Sequence, residues 1–367
     1  MSLLKRAARW LGTALALAGL SACSSAGYYW QSVSGHLQLM NAARPVGDWL
    51  ADDAVPPPLK ARLALSQRIR DFAIAELKLP DNASYRRYAD LQRSAAVWNV
   101  VAAPEFSLTL KTWCFPVAGC VGYRGYFSEL DARGEAARIR ADGLEVSVYG
   151  VPAYSTLGWL DWAGGDPLLS TFIRYNEGEL ARLIFHELAH QVVYVKNDTA
   201  FNESFATAVE RLGGARWLAL EAARGNSQAA IDYAAFDQRR QQFRALTQRT
   251  RRDLAAVYES NWPSAQQGRS QAAPKSIAKE AVMQTFRADH AALKAGWGGF
   301  AGYDAWVLQA NNAAFGAQAA YDDLVPGFEA LFEREGRDWM RFYEAVRKLG
   351  ALGKPERHLA LKPLSSP

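Results

Sequence analysis

The sequence predicts an α+β fold that is mainly helical, with one small sheet. Helical periodicity or continuous apolar character covers residues 59–79, 180–195, 199–212 and 227–260. Short runs rich in β-branched and aromatic residues, typical of strands, occur between residues 97 and 149. With 367 residues, of which 50% are apolar, the chain is long enough to bury one large core or two ordinary ones.

Residues 1–22 have the pattern of a secretory signal peptide. Three cations, Lys5, Arg6 and Arg9, precede an apolar run over residues 10–20. Because eleven apolar residues are too few to cross a bilayer, a permanent membrane span is disfavoured.

The end of this segment resembles a bacterial lipoprotein cleavage box. Leu20-Ser21-Ala22 precedes Cys23, and the resemblance implies that Cys23 becomes the lipidated first residue of the mature protein. Ser24, in place of an aspartate, is similar to an outer-membrane sorting signal. We therefore expect a lipid-anchored protein in the envelope of a Gram-negative bacterium, at the outer membrane and facing the periplasm.

The charge of the chain does not indicate a nucleic-acid partner. The formal net charge is +5, and removal of the three signal-peptide cations leaves about +2, spread without a basic block. The predicted membrane contact is made through Cys23. The oligomeric state stays open.

Residues 23–96 form a predicted helical segment after the signal peptide. The aromatic-rich part from Tyr28 to Leu50 is expected to pack on the body of the protein. Three prolines at residues 56–58 favour the start of a helix that continues to about Leu79. Lipid attachment would thus lie close to folded structure.

Residues 97–225 form the predicted central core. Strands are predicted at residues 98–102, 108–110 and 144–149, and Ser128 can cap a helix that ends near Asp142.

Cys114 and Cys120 lie within this core, in a chain predicted to enter an oxidising compartment where disulfides persist. We expect these two cysteines to close a small loop. A cysteine zinc site is the alternative, and it is disfavoured because no other cysteine lies nearby.

A predicted helix around His186 and His190 carries the main chemical signal. Spaced i and i+4, both imidazoles lie on one face and can bind one metal ion, while Glu187 lies about 100° round, beside that point. Zinc with three protein ligands keeps a fourth position for water, and a carboxylate that does not bind the metal can accept the proton of this water. The alternative is a hydrogen-bonded pair of core histidines, but a buried, nearly all-apolar helix favours a metal that satisfies these polar groups together.

Spacing leaves two candidates for the third metal ligand. If the helix runs to about Val195, a second helix from Thr199 to Leu212 can return antiparallel, and Gly213-Gly214 would end it. Glu203 would then be level with His190, since both lie roughly 6–8 Å from the turn at about 1.5 Å per residue. Glu210 lies on the same face, nearer the height of His186, and the height argument does not exclude it.

The helix pair resembles that of the gluzincin metallopeptidases. In those enzymes His-Glu-x-x-His is followed on the next helix by Asn-Glu-x-Phe-Ala, here residues 202–206, and the resemblance implies that Glu203 is the third zinc ligand. The phrases Cys-Phe-Pro-Val-Ala-Gly-Cys at 114–120 and Gly-Val-Pro-Ala-Tyr-Ser-Thr-Leu-Gly-Trp at 150–159 are similar to those of predicted zinc aminopeptidases among proteobacterial lipoproteins. The resemblance implies a zincin-like fold, with the small sheet over the active-site helix.

The chain departs from the alanyl aminopeptidases in two respects. Twelve residues separate His190 from Glu203, and the Gly-x-Met-x-Asn substrate strand is absent from the sequence. In zincins the sheet edge before the active-site helix holds the substrate backbone, so residues 151–158 are expected to do so here, with an ordinary loop as the alternative.

Several further residues are candidates for the cleft. The donor to the reacting carbonyl is expected to be Tyr321 or, second, Tyr154, because a phenol donates without carrying charge. Glu179, two turns before His186, and Asp161 are candidates to bind a substrate ammonium group. Asp161 and Asp166 flank a turn, and either can bind the ammonium group or cap that turn. Asn311 and Asn312 belong to phrases that look recurrent in the lipoprotein family, and for each the alternative is a surface helix position.

Residues 226–367 are predicted to form a helical region that completes the cleft. The segment 227–260 is expected to be an exposed amphipathic helix, Pro274 to start another, and residues 296–299 to break it.

Three functions fit these patterns. The leading expectation is a zinc aminopeptidase that uses Glu187 as the general base on peptide substrates. The alternatives are a periplasmic zinc endopeptidase in envelope protein quality control and a non-catalytic zinc-binding lipoprotein. Structural zinc sites have four protein ligands and need no base, so the count of three ligands and one glutamate favours an enzyme.

Overall fold

A computed structural model describes residues 27–115, 119–156, 164–260, 272–318 and 324–362. The signal segment, Cys23, Asp161 and Tyr321 lie outside these ranges, so the expectations for them stay predictions. The described chain is mainly helical and contains two three-stranded sheets and a β-hairpin, which confirms the mainly helical α+β class. Among its described helices, none combines the length and apolar character needed to cross a bilayer.

The N-terminal part alternates helices with short strands. Its elements are α1 (27–42), β1 (Arg44–Pro45), α2 (Val46–Ala51), α3 (Pro57–Ala75) and β2 (Arg87–Ala89). Prolines occupy the first turn of α3, where a missing N–H breaks no helical hydrogen bond. The helix ends before the predicted Leu79 because Lys78 adopts a φ of 55° and the Leu79 N–H donates back to the Ala73 carbonyl (3.0 Å).

The central part contains most of the strands. Its elements are β3 (Val97–Ala103), β4 (Trp113–Phe115), β5 (Gly119–Val121), β6 (Arg124–Tyr126), α4 (Glu129–Ala141), β7 (Glu145–Val151) and β8 (Leu168–Leu169). Ser128 caps α4 by accepting from the Asp131 N–H (3.3 Å), as predicted. The predicted strand at 108–110 was wrong: Leu108 and Leu110 instead pack into two separate apolar clusters beside helices.

The remaining described chain is helical. Its elements are α5 (Glu177–Ala189), α6 (Thr199–Ala223), α7 (Ser227–Glu259), α8 (Ala272–Gly296), α9 (Asp304–Gln309), α10 (Asn312–Gln318), α11 (Val325–Arg334), α12 (Trp339–Ala351) and α13 (Lys354–Ala360). The helix predicted at 227–260 is present, and it also buries Phe243, Leu246 and Leu254 in a cluster shared with α8. The break after Gly296 is present as well, where Gly298 and Gly299 adopt positive φ.

The antiparallel sheet β6-β3-β7 positions one wall of the site. β3 is its central strand, and its register with β7 runs from the pair Val97↔Val151 to the pair Ala103↔Glu145. Alternate β3 residues pack against α4 on one face and against α10 on the other, so the whole strand is buried. β7 lies at one edge of this sheet.

Two predictions about the helix pair were wrong. α5 ends at Ala189 rather than near Val195, because the Asn202 side chain accepts from the Val195 N–H and donates to its carbonyl (both 2.8 Å), which replaces helical hydrogen bonding there. α6 runs through Gly213-Gly214 instead of ending at them. These glycines permit close helix packing: a Cβ on Gly213 would lie 2.6 Å from Leu77 Cδ1, and one on Gly214 would lie 2.7 Å from Arg182 Cγ.

One large apolar core joins the N-terminal, central and C-terminal parts. Its members include Leu63 and Phe72 of α3, Phe185 of α5, Phe205 of α6 and Phe342 of α12, all nearly or fully buried. The second sheet, β1-β2-β8, contributes residues of two strands to the same core: Tyr88 and Ala89 of β2, and Leu168 and Leu169 of β8. The helix pair α5 and α6 is therefore held from several sides.

Candidate metal centre

Local capping fixes the ends of the two helices that carry the candidate ligands. Asn176 caps α5 by accepting from the Glu179 N–H (2.9 Å), and Asp198 caps α6 by accepting from the Phe201 N–H (3.3 Å). Asn197 makes the turn between them with a φ of 65°. Contacts between the helices pass from the His190 end of α5 to its Arg182 end as α6 advances, so the pair is antiparallel.

His186, His190 and Glu203 meet at one point. The Nε2 atoms of the two histidines are 3.2 Å apart. Glu203 Oε2 lies 3.3 Å from His186 Nε2 and 3.7 Å from His190 Nε2. Among the described residues, this is the group whose donor atoms could hold a metal ion.

Glu210 lies on the opposite side of the His186 ring. Its Oε2 is 3.0 Å from His186 Nδ1, while its Oε1 accepts from Arg182 Nη2. A carboxylate on Nδ1 holds a proton on that nitrogen, so Nε2, which faces His190 and Glu203, is the nitrogen available to a metal. The geometry therefore separates the two glutamates that spacing could not: Glu203 lies with the histidine nitrogens, and Glu210 lies behind one of them.

Burial and the neighbouring charges shift the pKa values of these groups in different directions. Burial lowers the pKa of His190 to about 4, so its imidazole is neutral. Burial acts to raise the pKa of Glu210 and of Glu203, but their neighbours outweigh it. Arg182 and His186 lower the pKa of Glu210 to about 2, and His190 and His186 lower that of Glu203. Burial acts to lower the pKa of His186, whereas its hydrogen bonds to both glutamates raise it well above the ordinary value.

Two cavities share His186 and Glu187 in their walls. The larger, of about 610 Å³, extends toward α7 and α9, and the smaller, of about 380 Å³, extends toward the sheet and the β4-β5 hairpin. Val151 and Ala153 also line both cavities. Burial raises the pKa of Glu187 to about 7, and the nearby Glu203 and Asp166 reinforce the shift against the opposing effect of His186.

The two cavities differ in the charge of their walls. The larger one is lined by Arg182, Arg240 and Arg244 as well as by carboxylates, and by five aromatic side chains: Tyr175, Phe236, Phe243, Tyr303 and Trp306. The described lining of the smaller one contains two carboxylates, Glu187 and Glu203, and neither lysine nor arginine. In the smaller cavity, His186 and His190 are therefore the lining side chains that can offset the charges of Glu187 and Glu203 or bind a metal.

Glu179 lines the larger cavity, but its carboxylate is already engaged. It lies 3.1 Å from Arg240 Nη1 and 3.6 Å from Arg182 Nη1. Burial raises its pKa to about 7. The predicted binding of a substrate ammonium would therefore have to displace one of two guanidinium groups.

Asp166 is buried, and its carboxylate is hydrogen-bonded within the protein. Its carboxylate accepts from the Thr156 N–H (3.0 Å) and from the Thr156 hydroxyl (2.8 Å). Asp161, the other candidate for the ammonium, lies outside the described residues.

Tyr154, the second candidate for the carbonyl donor, lies beside the candidate metal centre. It lines the smaller cavity together with Glu187, and its ring packs against Phe127 at 5.1 Å between centroids. Burial raises its pKa to about 12, so its hydroxyl stays protonated and able to donate. Tyr321, the first choice, lies outside the described residues.

Sequence reasoning missed Tyr123 and Tyr194, which also line the smaller cavity. The pKa of Tyr123 is raised by burial and by the charges of Glu203 and Glu187. Tyr123 lies between β5 and β6, far in sequence from the helix pair, so no motif spacing could have identified it. Arg182 was missed as well; a cation four residues before His186 within an apolar helix was its available signal.

Asn311 and Asn312 do not reach either cavity, which corrects their predicted role in the cleft. The Asn311 side chain donates to the Val146 carbonyl (3.1 Å), and Asn312 donates to the carbonyls of Pro104 and Glu105 (3.1 and 2.7 Å). Asn312 also accepts from the Tyr258 hydroxyl (2.7 Å). Both side chains tie the start of α10 to the sheet and its adjoining loop.

Cys114 and Cys120 form the expected disulfide, at a directly opposed pair of the β4-β5 hairpin. The Cys120 N–H donates to Asn197 Oδ1 (2.8 Å), in the turn between α5 and α6. The hairpin therefore packs at the end of the helix pair nearest His190 and Glu203.

Comparison with known proteins gives one assignment. No curated protein and no solved structure matches the chain. A family model described as "Putative aminopeptidase" matches residues 27–361, which is nearly the whole described part. The chain therefore belongs to this putative aminopeptidase family.

Proposed function

We propose that the chain is a zinc-dependent aminopeptidase of zincin-like architecture, with His186, His190 and Glu203 as the zinc ligands. The spacing of the three donor atoms carries the proposal. A tetrahedral zinc with bonds of about 2.05 Å has ligand atoms about 3.3 Å apart. The three separations here are 3.2, 3.3 and 3.7 Å. Two imidazoles and a carboxylate also form a donor set that suits zinc.

Bound there, zinc would supply a Lewis acid for the peptide carbonyl and would acidify a water molecule. Glu187 then accepts a proton from the attacking water and returns it to the leaving amine. Its pKa, raised to about 7, suits a group that must both take up and release a proton near neutral pH. Glu210 and Arg182 hold the His186 ring in one tautomer and orientation.

The edge of β7 is the proposed binding surface for the substrate backbone. Val151 and Ala153 line both cavities beside Glu187, and β7 has no partner on its outer edge among the described strands. An extended peptide added along this edge would place one side of a scissile bond toward each cavity. Tyr154 and Tyr123 in the smaller cavity, and Tyr321 from the sequence prediction, are the proposed donors to the carbonyl oxygen.

An endopeptidase is the second candidate, and one observation favours it. Cavities extend on both sides of Glu187, so a peptide could continue past the site in both directions. A non-catalytic zinc protein is less well supported, because a structural site would be closed by a fourth protein ligand.

Paired peptide substrates test the proposal. The enzyme should cleave a peptide with a free amino terminus much faster than its N-acetylated form, and equal rates would favour the endopeptidase. Glu187→Gln should keep zinc but lose about 10²–10⁴-fold in kcat, the usual contribution of a general base. Glu177→Gln is the matched control, since Glu177 is on the same helix but bonds Trp217 and Asn226 instead of lining either cavity.

The proposed location rests on the sequence alone. We propose that Cys23 is acylated and that the enzyme faces the periplasm from the outer membrane. Cys23→Ser should release the protein from the membrane fraction or leave its signal uncleaved. Wild-type protein found entirely in the soluble fraction would contradict the attachment.

A further inference from the structure

The outward face of α1 is unusually apolar. Tyr29, Trp30, Val33 and Leu37 are 45%, 74%, 54% and 52% exposed. At about 100° per residue these four positions fall within roughly 100° of arc, so they form one stripe along the helix. We call this stripe the outer face of α1.

The opposite side of α1 is fixed to the body of the protein. Gln31 donates to the Gly125 carbonyl (3.3 Å) and accepts from the Phe127 N–H (3.1 Å). Gly35 packs directly on the Phe127 ring, where a Cβ would collide with it. Over these turns the inward positions include a glutamine and a glycine while the outward ones are large and apolar. A helix at a protein–water boundary normally shows the reverse distribution.

The apolar stripe differs from the other exposed apolar residues. Leu130, Leu308 and Met340 are also strongly exposed, but each is on a different helix. Single exposed apolar residues are ordinary, whereas a contiguous set usually marks a binding surface.

The chain before α1 suggests which surface this is. Only residues 24–26 separate Cys23 from the start of α1, so a lipid on Cys23 would lie within about 14 Å of the helix. If the signal remained attached, its apolar run would end at Leu20, six residues before the helix. In either case a membrane lies within reach of Tyr29 and Trp30, and these two residue types favour the boundary between lipid and water.

We propose that the outer face of α1 rests on the lipid surface and that α1 orients the enzyme relative to the membrane. The inference goes beyond the proposed peptidase activity and rests on membrane attachment of the N-terminus. Tyr28 and Ser32, on the inward side of α1, line the smaller cavity. The cavity would therefore lie about one helix diameter, roughly 10 Å, from the membrane surface.

Spin labels on α1 test the proposal. The full-length chain is produced in a Gram-negative host and reconstituted in vesicles of phosphatidylethanolamine and phosphatidylglycerol. Nitroxides are attached at Val33→Cys and Leu37→Cys, and at Gln38→Cys as the matched control. Gln38 is exposed on the same helix but lies about 130° from the middle of the stripe. Wild-type protein is the labelling blank, because its cysteines would be acylated or disulfide-bonded.

The expected result is a rise in the ratio of oxygen to aqueous nickel-chelate accessibility at positions 33 and 37 when vesicles are added, with no rise at position 38. No rise at 33 and 37 would overturn the proposal. Spin–spin broadening that disappears on dilution with unlabelled protein would also overturn it, because the stripe would then contact a second copy. Labelling of the wild-type blank at Cys23 would overturn the tethered form of the proposal. Peptidase activity on soluble peptides is measured separately, so failure of the proposed function would be recognised independently.

Discussion

The two ends of α5 both bury polar side chains, but they balance them differently. At the Arg182 end, the guanidinium contacts Glu210 and lies 3.4 Å from Asp237 and 3.6 Å from Glu179. At the His190 end, two carboxylates and two imidazoles surround a cavity whose described lining contains no lysine or arginine. Buried acids without cationic partners are costly, so the first end is complete as a protein structure, and we propose that a bound cation completes the second.

This difference separates a structural region from the candidate metal site on the same helix. Glu210 belongs to both, since one of its oxygens faces Arg182 and the other faces His186. Arg182 and Glu210 can therefore fix the orientation of the His186 ring without themselves being metal ligands. The two ends of α5 should therefore respond differently to substitution.

Loss of the metal should have the largest effect, and it should act directly on the His190 end alone. We expect Glu203→Gln to lose zinc and to reduce activity to background. In the wild type, zinc at about 1,000 times its Kd should add about 4 kcal/mol to the free energy of unfolding, because it binds only the folded state. Metal analysis and denaturation with and without a chelator measure both effects. A wild-type protein that is equally stable with and without the chelator would contradict the idea that this end needs a cation.

Removing the cation of the other end should destabilise the fold. Arg182→Met leaves Glu210 and Glu179 buried near one another, and breaking such a buried pair typically costs about 3–5 kcal/mol. Denaturant unfolding measures the loss. The double variant Arg182→Met/Glu210→Gln should recover part of it, because the stranded charge is removed. A double variant with the full sum of both single losses would show that the two side chains act independently.

Glu210→Gln should have an intermediate effect, on metal affinity. Glutamine can still accept from His186 Nδ1 but carries no charge, and loss of such an outer partner usually weakens metal binding by about 10–100-fold. Competition with a chromophoric chelator measures the affinity. Complete loss of zinc, as expected for Glu203→Gln, would show that Glu210 is itself a ligand and would reverse the proposed assignment.

The sequence was most informative where chemistry depends on short spacing. His186, Glu187 and His190 can be placed together from helical periodicity alone, since four residues separate the two histidines along one face. Glu203 and Glu210 could not be separated in the same way, because the answer depends on which nitrogen of His186 each one approaches. The orientation of the His186 ring and the position of Arg182 determine which nitrogen each glutamate approaches. Sequence spacing predicts neither.

Long-range contacts explain the other differences. Asn202 holds Val195 outside the helix by hydrogen bonding across the turn, and Asn311 and Asn312 bond to a strand and to a loop more than 160 residues earlier in the chain. Tyr123 reaches the cavity from a separate strand region. The Gly213-Gly214 pair has the composition of a helix end, yet it lies within α6. Glycine is needed there because neighbouring residues occupy the space that a side chain would take.

The smallest predicted effect concerns this close packing, and it tests how rigid the Arg182 end is. A Cβ at Gly214 would lie 2.7 Å from Arg182 Cγ and 3.3 Å from its Cδ, and Arg182 cannot move freely while it pairs with Glu210. Gly214→Ala should therefore destabilise the protein by about 1–2 kcal/mol, since overpacking outweighs the gain in helix propensity. Gly134→Ala in the exposed face of α4 is the matched control; nothing lies within 4 Å of its Cβ, so the same substitution should stabilise by about 0.5–1 kcal/mol. Thermal or denaturant unfolding distinguishes the two signs. If Gly214→Ala were also stabilising, the Arg182 side chain would have moved aside with no loss of stability. The Arg182 end of α5 would then be less rigid than its buried ion pairs imply.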